Sequence, residues 1–114
     1  MPFIETKTNV TVTPDKEEAL MNRLGQAISL IPEKSESWLM LAIEGDTHMY
    51  FRGDDSQPIA FVEVKFYGNS DPDAFSRMTA ELTTIYGDVL GVAPHQMYIR
   101  YFGSSDWGWN GYNF

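Results

Sequence analysis

The chain of 114 residues contains no cysteine, which excludes disulfides, thiolate metal sites and a Cys-x-x-Cys redox centre. It also has no run close to the ~20 apolar residues that a membrane-spanning helix requires. Residues 1–5 lack a basic segment followed by an apolar one, so a signal peptide is not expected. These absences favour the cytoplasm, although they leave secretion without a leader open.

Positive charge is scarce. Eight lysines and arginines stand against 16 acidic residues, which gives a formal net charge of −8. Such a surface repels phosphate backbones and anionic lipids, so we expect neither nucleic-acid nor membrane partners. An anionic small molecule can bind only where several of the few cations converge, which makes each of them informative.

Motifs for phosphate loops, nucleophile elbows and zinc sites are also missing. His48 and His95 lie in different predicted elements without ligand-like neighbours, so both are interpreted as structural. We therefore expect no cofactor and no metal. A hydrophobic content of 43% is ample for one packed interior, and the length fits a single domain over residues 1–114.

The first half of the chain predicts a strand, a helix and a strand. Residues 3–8 form the first strand, and Thr13 can cap a helix that begins at Pro14. Apolar residues then recur at helical spacing until Pro32 ends the helix. Residues 37–43 are predicted to form a buried strand, with a short partner strand over residues 48–51.

The second half repeats this order. Residues 59–67 are predicted to form a strand, and Ser70 or Asp71 caps a helix that begins at Pro72. Gly91 stands where a helix C-terminal cap belongs, and residues 97–102 form the last long strand.

Two βαβ units predict an α+β fold in which two helices cover one face of a four-stranded mixed sheet. Because the strands contain apolar residues on both sides, the second face also needs a cover. The chain has no element left for this purpose, so self-association is expected.

Pro2 is the first candidate for chemistry. Proline is small enough for removal of the initiator methionine, which would expose a secondary amine whose direction is fixed by the ring. An ordinary α-amino group has a pKa of ~7.7–8.0, and burial beside cations lowers it toward a neutral base at pH 7. The alternative is that Met-Pro is simply a common start.

Four further residues are ambiguous from the sequence. Lys34 follows the first helix and Lys65 lies within an apolar strand, and each is either a solvated charge or part of a site. Tyr98 and Arg100 alternate along the last strand and share a face, so together they could bind a carboxylate. A row of solvent-facing residues on an edge strand would show the same spacing.

The aromatic tail needs burial, either against a neighbouring subunit or as the lining of a pocket. This tail and three other stretches resemble the macrophage migration inhibitory factor and D-dopachrome tautomerase family. The stretches are Pro2 with the strand behind it, residues 64–68, residues 94–99 and residues 108–114. Together they span essentially the whole chain.

The resemblance implies a homotrimer in which three sheets form a barrel wrapped by helices, with active sites between subunits. These sites interconvert keto and enol forms of phenylpyruvate-like 2-oxo acids. Pro2 matches the family's catalytic base, Lys34 the lysine that binds the substrate carboxylate, and Tyr98 a tyrosine of the adjacent subunit that acts as polar donor or acid. The residues that correspond to the lining of the pocket are Trp38, Tyr67, Trp107, Trp109 and Phe114.

Several positions depart from the family pattern. Lys65 stands where relatives carry histidine and Arg100 where some carry asparagine, so both are predicted to bind the anionic substrate and to lower the pKa of Pro2. Phe66 replaces a small residue and is expected to narrow the mouth of the pocket. Cysteines found in some animal relatives are replaced by Ile59 and Val62, which excludes their thiol chemistry.

Two alternatives to a tautomerase remain at this stage. The first is a non-catalytic trimeric cytokine-like or binding module that retains a vestigial site. The second is hydration or dehalogenation of small unsaturated acids, in which a charged Pro2 would act as an acid.

Overall fold

The computed structural model describes residues 1–113, and two helices dominate one layer of it. Helix α1 spans Pro14–Ala27 and α2 spans Pro72–Leu90. Within the described residues, no helix is long and apolar enough to cross a membrane.

The second layer is a four-stranded mixed sheet with the strand order β2-β1-β3-β4. The central strands β1 and β3 are antiparallel, whereas each outer strand is parallel to its neighbour. Each parallel pair is joined by one helix, so the two predicted βαβ units and the α+β class are confirmed. The four strands are β1 (Pro2–Thr8), β2 (Met40–Glu44), β3 (Ala60–Tyr67) and β4 (Met97–Ser104).

Both helices begin where their sequences predict. Helix α2 also ends as predicted, whereas α1 ends at Ala27 and a 3-10 turn over Ile28–Leu30 follows it before Pro32. The Thr13 hydroxyl caps α1 by accepting the Lys16 N–H at 3.4 Å. Asp71, one of the two predicted caps, accepts the Ala74 N–H at the start of α2. Helix α2 ends at Gly91, whose φ of 71° is accessible to glycine without a Cβ clash.

The core lies between the helices and one face of the sheet. Alternate residues of β1 and β3 point into it and meet the apolar stripes of both helices. Burying this apolar surface supplies most of the stability of the chain. The fully buried members include Ile4, Leu20, Leu24, Val62, Val64, Met78, Leu82 and Ile85.

The opposite face of the sheet mixes aromatic and charged side chains, and we call it the open face. Glu5, Glu63 and Lys65 form ion pairs on it. Tyr98 is 65% exposed and Met40 67% exposed. The expectation of strands apolar on both sides was therefore only partly correct, because the charged residues of the central strands also face this side.

Two predicted strands differ from the structure. Residues 48–51 form no strand; a single bridge joins Phe51 to Asp54 across a tight turn at Arg52 and Gly53, both with positive φ. The predicted strand 37–43 begins later, at Met40, because a 3-10 turn occupies Glu36–Trp38. It is an edge strand and only partly buried, since it pairs with β1 alone within residues 1–113.

The aromatic tail forms a hairpin of β5 (Gly108–Trp109) and β6 (Tyr112–Asn113). Asn110 and Gly111 connect the strands with positive φ at both positions, as a two-residue hairpin turn requires. The Asn-Gly pair between aromatic residues is the sequence signal for this hairpin, which is an element that the predicted strands do not include.

Gly103 of β4 fixes the packing at the end of the sheet where Pro2 lies. A Cβ at this position would stand 2.6 Å from the Gly68 carbonyl oxygen and 3.2 Å from the Phe66 ring. We expect Gly103→Ala to lower the free energy of unfolding by about 1–3 kcal/mol through overpacking. Thermal unfolding measures this effect. Gly87→Ala is the matched control, because its Cβ meets only the Val92 oxygen at 3.5 Å, and it is expected to be neutral or stabilising.

Candidate active site

Pro2 begins β1 at one end of the sheet and is buried. It pairs with Phe66 of β3, and the carbonyl of Met1 accepts the Tyr67 N–H at 3.3 Å. Proline lacks an N–H, so the first position of a strand suits it. A cleft of about 440 Å³ opens beside it and is lined by Met1, Pro2, Phe3, Ser37, Trp38, Leu39, Met40, Trp107, Gly108 and Trp109.

Lys34 is held at the same end of the sheet. Its Nζ donates a hydrogen bond of 2.5 Å to the carbonyl oxygen of Tyr67, the last residue of β3. The same Nζ lies 5.9 Å from the ring centroids of both Phe66 and Tyr67, which is within the range of a cation–π contact. Two rings and one carbonyl thus fix an ammonium near the start of the chain.

The amine at the start of the chain is affected by these surroundings. Burial, followed by the positive charge of Lys34, lowers the pKa of the Met1 ammonium below its ordinary value. Both causes act by disfavouring the charged form of an amine. The Met1 amine therefore loses its proton more readily than an α-amino group in water.

Aromatic rings form one wall of the cleft. Trp38 and Trp109 meet at 5.0 Å between ring centroids with their planes 88° apart. Trp107 lines the part of the cleft beside Pro2. The structure therefore brings Trp38, Trp107 and Trp109 to the Pro2 cleft. Lys34 and Tyr67 line a separate groove at the same end of the sheet.

Lys65 and Arg100 lie elsewhere within one chain. Lys65 stands on the open face, 3.4 Å from a Glu5 oxygen and 3.8 Å from a Glu63 oxygen. Arg100 also lies on the open face, with its guanidinium 4.6 Å from the Phe102 ring centroid. Successive residues of a strand point to opposite faces of the sheet. Lys65 and Arg100 are therefore on the face opposite to that of Pro2, whose neighbours Ile4 and Phe66 face the helices.

Tyr98 is also far from Pro2. It pairs with Phe61 at the start of β3 and touches Phe51, at 5.2 Å between centroids. Since Pro2 pairs with the other end of β3, roughly 20 Å of strand separates the two. One chain alone cannot bring the Tyr98 hydroxyl to Pro2. Phe114, the last predicted lining residue, lies outside the described residues.

Two residues of the cleft were not found from the sequence. Glu33 and Tyr112 line its outer part together with Met1, Trp38 and Trp109. The cross-strand pairing of Tyr112 with Trp109 follows from the Asn-Gly turn, so that signal was available. Glu33 gave none, because a charged residue after Pro32 is typical of an exposed turn.

Metal ligands do not cluster in this region. Within residues 1–113, no group of three or more histidine, aspartate or glutamate side chains is placed to hold a metal ion.

Comparison with known proteins gives the relationship of the chain. The family profile described as macrophage migration inhibitory factor (MIF) matches residues 1–114. The chain belongs to the macrophage migration inhibitory factor family. This match confirms the resemblance that the sequence motifs indicated, and a search of curated proteins finds no match.

Solved structures of the MIF family share this fold. Leishmania major MIF2 is 28% identical, with a TM-score of 0.91 over 100% of this chain and 97% of that one. The macrophage migration inhibitory factor from Trichinella spiralis is 26% identical, with a TM-score of 0.81 over 98% of this chain and 99% of that one. Pt0534, solved after inactivation by 2-oxo-3-pentynoate, is 14% identical, with a TM-score of 0.82 over 96% of this chain and 92% of that one. This last likeness shows the fold alone.

Proposed function

We propose that this MIF-family chain is a keto–enol tautomerase for phenylpyruvate-like 2-oxo acids, with Pro2 as the general base after removal of Met1. The observation that carries the proposal is the placement of Pro2, which is buried at the start of β1 beside a cleft with aromatic walls, at the end of the sheet where the Tyr67 carbonyl holds the Lys34 ammonium. A neutral amine, a fixed cation and aromatic walls are the groups that enolisation of an aromatic 2-oxo acid needs.

The proposed reaction moves one proton between carbon and oxygen. The lone pair of Pro2 takes a proton from the carbon next to the carbonyl, the C–H electron pair forms the C=C bond, and the carbonyl oxygen becomes an enolate. A donor then protonates that oxygen, and the reverse steps regenerate the ketone. Lys34 holds the substrate carboxylate, which fixes the reacting carbon against the base.

Removal of Met1 changes the hydrogen bonding at the site. It takes away the carbonyl that accepts the Tyr67 N–H in the full-length chain. A substrate oxygen can occupy the same position and accept that hydrogen bond. With Met1 retained, the Pro2 nitrogen is an amide without a basic lone pair, and the chain would be inactive.

The proposal assigns protonation of the enolate oxygen to Tyr98 of a neighbouring subunit or to water. Tyr98 is 65% exposed and too far from Pro2 of its own chain, so only a second copy could deliver its hydroxyl. Lys65 and Arg100, on the same open face, would approach the substrate by the same route. This part of the proposal requires a homotrimer with sites between subunits.

The assembly has a direct test. Sedimentation equilibrium is expected to give about three times the chain mass of 13.0 kDa. The KM of Arg100→Ala gives a second measure of assembly. Arg100 lies on the open face, so its loss should alter substrate affinity only if subunits associate through this face. A stable monomer that retains full turnover would contradict the intersubunit site.

A reactive 2-oxo acid tests the base. We expect 2-oxo-3-pentynoate, the compound that inactivates Pt0534, to inactivate this chain with one adduct per chain on Pro2. A neutral amine adds to the activated triple bond, whereas an amide or ammonium nitrogen does not. Peptide mass spectrometry locates the adduct, and protein that retains Met1 is the matched control. Labelling in both preparations, or at another residue, would contradict the assignment.

A non-catalytic binding module is the alternative. It predicts background turnover in mass-verified, Met1-free protein and unchanged partner binding when the Pro2 nitrogen is blocked.

A further inference from the structure

The outer part of the cleft is lined by two residues that the proposed proton transfer does not use, Glu33 and Tyr112. It encloses about 570 Å³ between Met1, Glu33, Trp38, Trp109 and Tyr112. Trp109 and Tyr112 are direct cross-strand partners in the C-terminal hairpin, so their side chains share one face. Trp38 meets Trp109 edge to face. Three aromatic residues and one glutamate therefore line the same open space.

Glu33 occupies a backbone position that glutamate does not favour. It is the third residue of a turn closed by a hydrogen bond of 3.1 Å from the Lys34 N–H to the Ile31 carbonyl. Pro32 precedes it, and its own φ is 68°. A turn of this kind favours glycine or asparagine at that position.

The strain at Glu33 has no visible compensation in the fold. Within residues 1–113, its carboxylate takes part in none of the hydrogen bonds or ion pairs. Backbone strain of this kind concentrates at binding sites, where it places a side chain that folding alone does not need. Glu33 lies beside three aromatic residues, so its side chain is positioned to contact a ligand bound among them.

The chemistry of the lining selects the charge of the ligand. Ring faces carry negative electrostatic potential, and the carboxylate adds a full negative charge, so a cation is attracted and an anion repelled. The net charge of −8 strengthens this preference. An alkylated ammonium fits best, since it is weakly hydrated and offers methyl groups to the rings.

We propose that the outer cleft, formed by Glu33, Trp38, Trp109 and Tyr112, binds an alkylated ammonium group. Trp38 and Trp109 line both this space and the Pro2 cleft, so one ligand can span the two. The substrate class is then a 2-oxo acid with a positive charge at the end opposite its carboxylate. That second statement rests on the proposed tautomerase function, whereas binding of the cation does not.

A matched pair of probes tests the cation site. Choline and 3,3-dimethyl-1-butanol have the same shape and differ by one charge. The titration is followed by the indole N–H resonances of Trp38 and Trp109. We expect choline to bind about fivefold more tightly than the alcohol, which is the affinity ratio that a cation–π contact at an exposed site provides. Equal affinities, or shifts confined to other residues, would overturn the proposal.

Variants at two glutamates locate the charge. Glu33→Gln is expected to reduce the preference for choline severalfold, whereas Glu18→Gln, which removes the same charge from the exposed face of α1, keeps the wild-type ratio. Glu33→Asn suits the positive φ and should raise the unfolding temperature while it weakens choline binding. An unchanged preference in Glu33→Gln would overturn the role of that carboxylate.

Kinetics separates this inference from the proposed function. We expect a higher kcat/KM for phenylpyruvate with a para-trimethylammonio group than for phenylpyruvate, and a smaller ratio in Glu33→Gln. Choline binding without turnover of either compound would support the cation site and reject the tautomerase. Equal turnover of both, without choline binding, would reject the cation site alone.

Discussion

Replacement of Pro2 by glycine is expected to lower kcat/KM for phenylpyruvate tautomerisation by at least about 100-fold. A positioned general base contributes about 10²–10⁴ to a rate. Glycine keeps a terminal amine, but it lacks the ring that fixes the direction of the lone pair. The measurement is the enol-to-keto rate on Met1-free protein of verified mass.

The structure allows this result to be distinguished from misfolding. Proline donates no hydrogen bond to the β1–β3 ladder, so Pro2→Gly removes none. Its pairing with Phe66 lies at the end of the strand. Because the Pro2 ring is buried, its loss should lower the unfolding temperature, but the transition should remain cooperative if the variant folds normally. Wild-type turnover in Pro2→Gly would reject Pro2 as the base and favour a binding module.

The architecture could be predicted because its signals are local. Apolar spacing placed Leu20 and Leu24 on the inner face of α1, and Gly91 ended α2 at the position where its φ turns positive. The two Pro-initiated helices, each between two apolar strands, were sufficient to predict both βαβ units. Local patterns decide such elements, since period and capping are properties of neighbouring residues.

The position of β2 could not be predicted from the same kind of pattern. Residues 37–43 are almost all apolar and show no alternation, so periodicity does not locate the first paired residue. The neighbouring strand locates the start of β2, because β1 pairs with β2 from Phe3 and Met40 onward. The residues before this pairing form a 3-10 turn that directs Trp38 into the cleft.

The face that each cation occupies was only partly predictable. Glu63 lies two residues before Lys65, and both are therefore on one face of β3, away from Val62 and Val64. This pattern indicated that Lys65 faces away from the helices. Lys34 lies in a loop, and its contact with the Tyr67 carbonyl joins residues 33 positions apart, which no local pattern reveals.

Replacement of Lys34 by alanine is expected to have the second-largest effect, a rise of about 10- to 100-fold in KM for phenylpyruvate. Charge-assisted hydrogen bonds contribute about 1.5–3 kcal/mol, which corresponds to that range. Lys34 is the cation held nearest the start of β1, and its Nζ is fixed by the Tyr67 carbonyl. Steady-state kinetics at constant ionic strength measures the change.

The pH profile of the same variant separates binding from tuning of the base. Burial first, and then the charge of Lys34, lower the pKa of the Met1 ammonium by disfavouring its charged form, and we expect the same two causes to act on a Pro2 amine. Without that charge the pKa of the Pro2 amine rises, a larger fraction is protonated at neutral pH, and the acidic limb of kcat/KM moves to higher pH. Lys7→Ala removes an equal charge from the exposed end of β1 and should move neither KM nor the limb. If Lys34→Ala raises KM but leaves the acidic limb in place, Lys34 binds the carboxylate without tuning the base. If the variant changes neither KM nor the limb, the anion site lies elsewhere.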